Sequence, residues 1–263
     1  MTESTYKQRE IKSIVDYVAL VMEQKSEAEK LGNMSDLLFR GQRRDWELLP
    51  RLGRLSLRGE INNIEKLILE EFKRTSLPLT EFKPENDWDV LALAQHHGLP
   101  TRLLDWTYSA LAGLWFAVNE TPSKDKNGKE EPGVVWILKA QVEDFKLETS
   151  DTNPLSNYTT KIYRSKIVSR RISAQSGVFT VHKINSNGKM IKLHKHSKYS
   201  SKLLKIMILP QYFSKLRKDL NILGVNSSMV FPDLDGLCKH LKWRYSYFDD
   251  ESKKDKDETQ LVY

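Results

Sequence analysis

The 263-residue chain has a single cysteine, Cys238, and therefore cannot form an internal disulfide framework. No apolar run approaches the roughly 18 residues that a membrane-spanning helix requires. The N-terminal sequence MTESTYKQREIKS lacks the apolar stretch of a secretory signal peptide. These absences predict a protein of a reducing, cytoplasmic compartment without a membrane segment.

Acidic residues are absent from a long segment, 161–218, which contains 15 lysines and arginines. The net charge of the chain is +7, so the remaining residues are negatively charged overall. Such segregation favours a nucleic-acid partner, although a solvated lysine-rich face or a surface for an acidic protein would have the same composition. Tyr163, Phe179 and Tyr199 lie among the cations, as base stacking would require. The candidate nucleic-acid contacts are Arg170, Arg171, Lys183, Lys189, Lys192, Lys195 and Lys198.

The hydrophobic pattern predicts an α+β fold in which helices precede most of the strands. The predicted helices are 6–31, 63–75, 87–97, 109–119, 211–223 and one that begins near Asp233. The predicted strands are 36–42, 101–107, 133–140, 177–184 and 202–209, with a hairpin turn at Asn187–Gly188. We divide the chain into an N-terminal helix (1–34), one main domain (35–248) and a charged, flexible tail (249–263).

Two motifs place polar groups against apolar surface. In LLFRGQ, Arg40 follows a short strand and offers a planar fork for phosphate or carboxylate, while Gly41 permits a close backbone approach by a ligand. In HHGLPTRLLDWT, polar residues Thr101, Asp105 and Thr107 occur within an extended segment. A simple ion pair is the structural alternative for Arg40, and an Arg102–Asp105 ion pair is the alternative in the second motif.

Metal and nucleophile signatures are weak. Adjacent residues on a helix point about 100° apart, so His96 and His97 are poorly placed to share one metal ion. We expect Asp233 and Asp235 to cap the last helix, and Cys238 to belong to the core. No metal site is therefore predicted, although a metal-dependent nuclease that uses Asp105, Asp233 and His96 is one alternative.

The sequence resembles the FRG-domain family. The resemblance rests on four segments that occur in the family's order: LLFRGQRRDWELLPRLGR, WDVLALAQHHGLPTRLLDWTYSALAGLWFAV, RISAQSGVFTVH and VNSSMVFPDLDGL. They lie between residues 35 and 241.

A more distant resemblance, to ADP-ribosyltransferases, implies a split β-sheet core with flanking helices and NAD as substrate. It gives Arg40 the role of the early-strand arginine, Thr101 or Thr107 that of the hydroxyl element, and Gln175 that of the late-strand residue. The chain lacks the family's Gln-x-Glu pair at Gln175, which argues against arginine-directed protein modification. Asp105, or a histidine, would deprotonate the acceptor. Further NAD contacts would come from Phe39, Gly41, Gln42, His97, Arg102, Trp106, Thr107 and Tyr108, with Trp106 or Tyr108 stacking on nicotinamide.

These resemblances lead to one expected function and several alternatives. We expect transfer of ADP-ribose from NAD onto nucleic acid, with RNA favoured, by a cytoplasmic toxin or phage-defence effector. An antitoxin protein is then a candidate partner. The alternatives are ADP-ribosylation of a protein, hydrolysis of NAD, a non-catalytic nucleic-acid-binding module, and the nuclease.

Overall fold

The computed structural model describes residues 6–30, 35–80, 83–146, 153–156, 159–165 and 177–251. Within these ranges the strands are β1 (Lys7–Ile11), β2 (Ser35–Gln42), β3 (Leu103–Thr107), β4 (Gly133–Gln141), β5 (Lys161–Tyr163), β6 (Gly177–Val181) and β7 (Leu203–Ile208). The helices are α1 (Ile14–Lys30), α2 (Ile61–Ser76), α3 (Asp87–His96), α4 (Ala110–Val118), α5 (Phe213–Ile222), α6 (Ser227–Val230) and α7 (Leu234–Tyr245). The predicted α+β class is confirmed at this level.

All seven of these strands form one mixed sheet, in the order β1-β7-β4-β2-β3-β6-β5. β1 runs parallel to β7, and the other neighbouring pairs are antiparallel. β2 pairs with β4 from Ser35 to Gln42, but it meets β3 only where Phe39 faces Thr107. The ladder between β2 and β3, in the middle of the sheet, therefore consists of a single residue pair.

Helices cover one face of the sheet on both sides of this junction. Phe39 and the core of α4 pack in one apolar cluster, whereas Leu103 and Phe179 pack with the buried side of α3 in another. The opposite face carries Leu38, Trp106 and Trp136, which are buried together. Apolar residues on both faces of the central strands explain the continuous apolar run of β4.

Helix termini follow the predicted capping chemistry in most places. The Ser109 hydroxyl accepts a hydrogen bond from the Ala112 amide at the start of α4, and the Asp233 carboxylate accepts one from Gly236 at the start of α7. Gly98 and Gly224 follow α3 and α5 with φ of +83° and +79°. The N-cap of α2 is Glu60, so this helix begins two residues before the predicted start at residue 63.

Two local predictions are wrong. Residues 7–11 do not belong to the N-terminal helix, because β1 pairs with β7 and so joins the same sheet as the rest of the chain. Cys238 is exposed on α7 rather than buried in the core. In both cases the helical spacing of apolar residues was a local signal, whereas the partner surface is supplied by distant residues.

The first residues of the predicted flexible tail are ordered by a buried arginine. Arg217 Nη2 lies 2.7 Å from Asp250 Oδ1 and 3.1 Å from Glu251 Oε1, and the Trp243 indole donates to the same Glu251 oxygen. Glu251 is buried. The flexible tail therefore cannot begin at residue 249, and residues 252–263 lie outside the described part of the chain.

None of the helices in the described ranges is both long enough and apolar enough to span a membrane.

Candidate functional site

Arg40 lies where β2 and β3 separate. Its Nη1 donates to the backbone carbonyl oxygen of Asp105 at 2.8 Å and lies 3.7 Å from the carboxylate oxygen Oδ2 of the same residue. β2 does not pair with β3 beyond Phe39, so no amide of β2 donates to the Asp105 carbonyl. The Arg40 guanidinium donates to this carbonyl instead. The Arg40 side chain thus bridges the opening in the sheet.

The Arg40 guanidinium is largely buried and incompletely satisfied. Its side chain is 17% exposed, and its Nε is buried without a hydrogen-bond partner among the described residues. Burial lowers the pKa of Arg40, whereas the charge of Asp105 acts in the opposite direction. An arginine stays cationic at neutral pH. The site therefore presents a positive charge and an Nε–H donor that has no partner among the described residues.

A chain of hydrogen bonds orients the Asp105 carboxylate. The hydroxyl of the buried Thr101 donates to Gln95 Oε1 at 2.7 Å, and Gln95 Nε2 donates to Asp105 Oδ2 at 2.9 Å. Thr101 Oγ1 also accepts from the Leu103 amide, which fixes the hydroxyl proton toward Gln95. The Asp105 side chain remains 56% exposed, so its carboxylate is both held in place and accessible.

These groups border a pocket of about 340 Å³ at the opening between β2 and β3. Its floor is formed by β2 and β3 and its walls by the C-terminal end of α3 and by α4, with Phe231 closing one side. This volume is within the range of small-molecule sites. The lining residues are Phe39, Arg40, Gly41, Gln95, His96, Asp105, Trp106, Thr107, Phe116 and Phe231.

Further positive charge lies beside the pocket. Arg54, at the end of the 3-10 turn Leu52–Arg54, is exposed and forms no ion pair with a residue in the described ranges. Burial lowers its pKa, Arg51 acts in the same direction, and the charge of Asp105 opposes both. Arg51 donates to the Gly98 carbonyl and so holds this turn against the loop that follows α3. Arg40 and Arg54 therefore place two cations near one exposed carboxylate.

Gly41 is required by helix packing as well as by its place at the pocket. A Cβ atom built on Gly41 would lie 2.0 Å from the Gly113 carbonyl oxygen in α4, and one on Gly113 would lie 2.8 Å from Phe39 Cβ. The LLFRGQ motif predicts that the small size of Gly41 admits a ligand. The structure shows that it also lets α4 approach β2. Gln42 is buried, and its Oε1 accepts from the Trp136 indole.

Arg102 is not at the pocket. Its side chain is 1% exposed and forms a buried ion pair with Glu65, with Nη2–Oε2 at 2.6 Å and Nε–Oε2 at 2.9 Å. Its Nη1 donates to the Leu155 carbonyl. The alternative Arg102–Asp105 ion pair does not form, because all three guanidinium nitrogens donate to Glu65 or to the Leu155 carbonyl.

The predicted aromatic and hydroxyl contacts divide between pocket and core. Trp106 is buried and its indole donates to Thr180, and the residue also borders the pocket. The Thr107 hydroxyl accepts from the Ser109 amide. Tyr108 is partly exposed, accepts a hydrogen bond from Arg164 and does not line the pocket. His97 is exposed after α3, whereas its neighbour His96 lines the pocket.

The sequence motifs did not single out Gln95, which links Thr101 to Asp105. A signal was present, since Gln95 is the first polar residue after the buried run Val90–Ala94 of α3. Gln175, Arg170 and Arg171 lie outside the described residues. Phe116 and Phe231 also line the pocket, although the sequence predicts Trp106 or Tyr108 as the ring that stacks on nicotinamide.

The basic segment 161–218 is partly neutralised by acidic residues from elsewhere in the chain. Lys192 pairs with Glu47, Lys205 pairs with Asp45, and both Lys198 and Lys202 lie 2.7 Å from the Asp144 carboxylate. The segment has no acidic residue of its own, but in the fold several of its lysines lie next to carboxylates from other parts of the chain. Lys183, Lys189 and Lys195 are exposed and form no ion pair with a described residue.

The predicted stacking residues of that segment belong to the core. Tyr163, Phe179 and Tyr199 are all buried. Within the described ranges no group of three histidine, cysteine, aspartate or glutamate side chains is placed to hold a metal ion. In particular, Asp233 is engaged as the N-cap of α7 and lies outside the pocket.

The family model of the FRG domain matches residues 35–126. This range runs from β2 past α4 and includes Arg40, Gln95, Thr101 and Asp105. Searches of the curated proteins and of the solved structures found no match to the chain.

Proposed function

We propose that the protein transfers ADP-ribose from NAD onto nucleic acid, with RNA as the favoured acceptor. The observation that carries the proposal is the largely buried Arg40 guanidinium, which spans the opening between β2 and β3 beside the exposed, oriented carboxylate of Asp105. A cation and a carboxylate at the floor of an aromatic-walled pocket suit a substrate with a pyrophosphate and a reacting sugar carbon. The family match to the same residues supports the assignment.

The chemistry requires positioning more than covalent catalysis. The bond between ribose C1′ and the nicotinamide nitrogen breaks, and its electron pair leaves with nicotinamide. A nucleophilic atom of the acceptor forms the new bond to C1′, and its proton passes to the Asp105 carboxylate and then to water. The developing positive charge on the ribose resembles that of glycoside hydrolysis and is stabilised by the same carboxylate.

Each site group then has a defined task. Arg40, with Arg54 beside it, holds the pyrophosphate oxygens. Gln95 and Thr101 keep Asp105 directed into the pocket. Phe116 and Phe231 provide an apolar wall for the nicotinamide ring and exclude water from the reacting bond.

The proposal is tested by incubating the protein with NAD that carries a label on its adenylate phosphate, together with RNA, DNA or cell lysate. We expect the label on RNA, and Arg40→Ala should reduce transfer by about 100-fold or more, as removal of a preorganised charge does elsewhere. Arg74→Ala is the matched control, because Arg74 forms an exposed ion pair with Glu71 within α2.

The other outcomes identify the alternatives. Label on lysate protein indicates a protein acceptor, and free ADP-ribose indicates a hydrolase. RNA binding without consumption of NAD indicates a non-catalytic module, and RNA cleavage that a chelator abolishes indicates the nuclease. Full transfer by a folded Arg40→Ala variant contradicts the mechanism.

A cytoplasmic toxin or phage-defence effector is the biological role that we propose for this activity, because modified nucleic acid cannot serve its normal partners. In cells, expression of the wild-type chain should arrest growth, whereas expression of the Arg40→Ala variant should not. A neutralising antitoxin would be expected to cover the pocket at Arg40.

A further inference from the structure

A second, larger pocket adjoins the Arg40 pocket. It has a volume of about 590 Å³ and lies between the end of β2, α4 and the C-terminal helices. Gly41, Phe116 and Phe231 border both pockets, so the two cavities are neighbours.

Aromatic rings form much of the wall of this second pocket. Trp115 and Phe231 pack edge to face with their ring centroids 5.7 Å apart, and Phe116 contacts both rings. Across the pocket, Trp243 lies against His240 at 6.0 Å. Trp46 and Phe248 complete the aromatic lining. Such walls favour a flat, unsaturated ligand.

Two buried polar atoms at this pocket have no hydrogen-bond partner among the described residues, namely Asn119 Oδ1 and His240 Nδ1. A buried polar atom without a partner is costly, so these two atoms point to a ligand that satisfies them. Burial lowers the pKa of His240, and Arg244 acts in the same direction, so the imidazole is neutral at pH 7. A neutral imidazole and an amide oxygen suit the polar edge of a ring with an amino group.

Positive charge is available at the rim. Lys239 and Lys242 of α7 line the pocket and form no ion pair with a residue in the described ranges. Arg43 and Arg217 also line it, but their guanidinium groups are engaged by Glu120 and by Asp250 and Glu251. Lys239 Nζ lies 5.7 Å from the centroid of the Phe231 ring, so these two lysines place positive charge beside the aromatic wall, where a phosphate group next to a flat ring would meet it.

We propose that this pocket, which Asn119 and His240 mark, binds a nucleotide whose base carries an exocyclic amino group. The amino group donates to Asn119 Oδ1, the ring lies against the aromatic wall, and the phosphate faces Lys239 and Lys242. The base belongs either to the adenosine half of NAD or to the acceptor nucleic acid. Binding can be measured without turnover, so the proposal does not depend on the transfer activity.

Adenosine monophosphate and inosine monophosphate are the probes, because they differ in the exocyclic amine at one ring position. Calorimetric titration of the full chain should show binding of AMP, with IMP at least about tenfold weaker, since a site built for an amino group disfavours the analogue that lacks it. Asn119→Leu should weaken AMP binding by about tenfold and abolish the preference over IMP. Because Asn119 Oδ1 has no partner, this variant should fold with unchanged stability, which circular dichroism checks.

Two further variants separate this pocket from its neighbour. Arg40→Ala should leave AMP binding intact, whereas Lys239→Ala should weaken AMP but not adenosine, which lacks the phosphate. Lys215→Ala, at an exposed position of α5 outside the pocket, is the control for loss of one positive charge. Equal affinity for AMP and IMP, no binding of AMP, or full binding by Asn119→Leu would each overturn the proposal.

The source of the base follows from competition. If NAD displaces AMP and Asn119→Leu weakens NAD binding alone, the pocket holds the donor adenine. If oligoadenylate displaces AMP and the variant weakens oligoadenylate alone, it holds an acceptor base. Selective AMP binding without any ADP-ribose transfer would retain this pocket and contradict the proposed function.

Discussion

At the scale of single residues, the arginines of the two polar motifs have different roles. Arg102 has its donors taken by Glu65 and the Leu155 carbonyl, whereas Arg40 retains an unpartnered Nε and an exposed edge at a pocket. Removing one partner of a buried ion pair typically costs about 3–5 kcal/mol. Loss of activity in an Arg102 variant would therefore reflect unfolding and not a missing ligand contact.

His182 is another buried polar residue, and it should make stability depend on pH. It is fully buried between the Thr180 hydroxyl and the Ile191 carbonyl, and burial lowers its pKa to about 3. The hydrogen bond with the Ile191 carbonyl raises the pKa of His182, but burial outweighs it, and the charges of His196 and Arg40 lower the pKa further. In the unfolded chain a histidine has a pKa of about 6.5, so below that pH the unfolded state binds a proton that the folded state does not.

We therefore expect the free energy of unfolding to fall as the pH drops below about 6.5, by up to about 1.4 kcal/mol per pH unit from this residue. Urea unfolding at pH 7, 6 and 5 measures the slope, and His182→Gln should flatten it. The exposed His97 supplies the control, since His97→Gln should leave the slope unchanged. Equal slopes for His182→Gln and the wild-type protein would contradict the prediction.

At the scale of elements, the site depends on how closely α4 approaches β2. Gly41 and Gly113 face each other, and neither leaves space for a methyl group. This contact places Phe116 over the floor of the pocket, so the geometry of the site follows from the helix-to-sheet distance. The glycine of the Phe39-Arg40-Gly41 triplet therefore has a packing role in this chain.

Gly41→Ala should lower the free energy of unfolding by about 1–3 kcal/mol or more, because the added methyl group would meet the backbone of α4. Chemical denaturation followed by circular dichroism measures the change. Gly59→Ala is the matched control, since a Cβ there would make only ordinary contacts, 3.5 Å or more, with Ile64. A Gly41→Ala variant as stable as Gly59→Ala would show that α4 can move away from β2 without cost.

At the scale of the whole molecule, the basic segment shares its charge with the acidic part of the chain. Asp45, Glu47 and Asp144 each pair with lysines of the segment, and Asp144 pairs with two of them. Burial raises the pKa of Asp144, but the lysines Lys198 and Lys202 outweigh this, and its pKa is lowered overall. The cations that remain available to a polyanion are fewer than the sequence indicates.

If the segment binds nucleic acid, the unpaired lysines should carry the salt dependence. We expect the combined Lys183→Gln, Lys189→Gln and Lys195→Gln changes to reduce the slope of log affinity against log salt for single-stranded RNA by about 2, since each phosphate contact contributes about 0.7. Lys192→Gln with Lys198→Gln is the comparison, because these lysines are already paired. An unchanged slope in the triple variant would identify the segment as a solvated face.

The sequence by itself determined the local features of this protein. The positions of β2, α3, α4 and β4 followed from apolar periodicity and capping residues, because these signals act over a few neighbouring residues. The motifs that contain Arg40 and Asp105 were identified as a candidate site for the same reason, and both residues border one pocket.

Only the tertiary structure decided which polar groups meet. Sequence spacing could not show that Glu65 neutralises Arg102, that Gln95 joins Thr101 to Asp105, or that Asp144 neutralises two lysines, because each partner comes from a separate element. The pairing of β1 with β7 joins residues 7–11 to residues 204–208 and was equally invisible to local periodicity. Charge pairing and burial depend on distances in space, and the order of residues along the chain does not specify those distances until the sheet has formed.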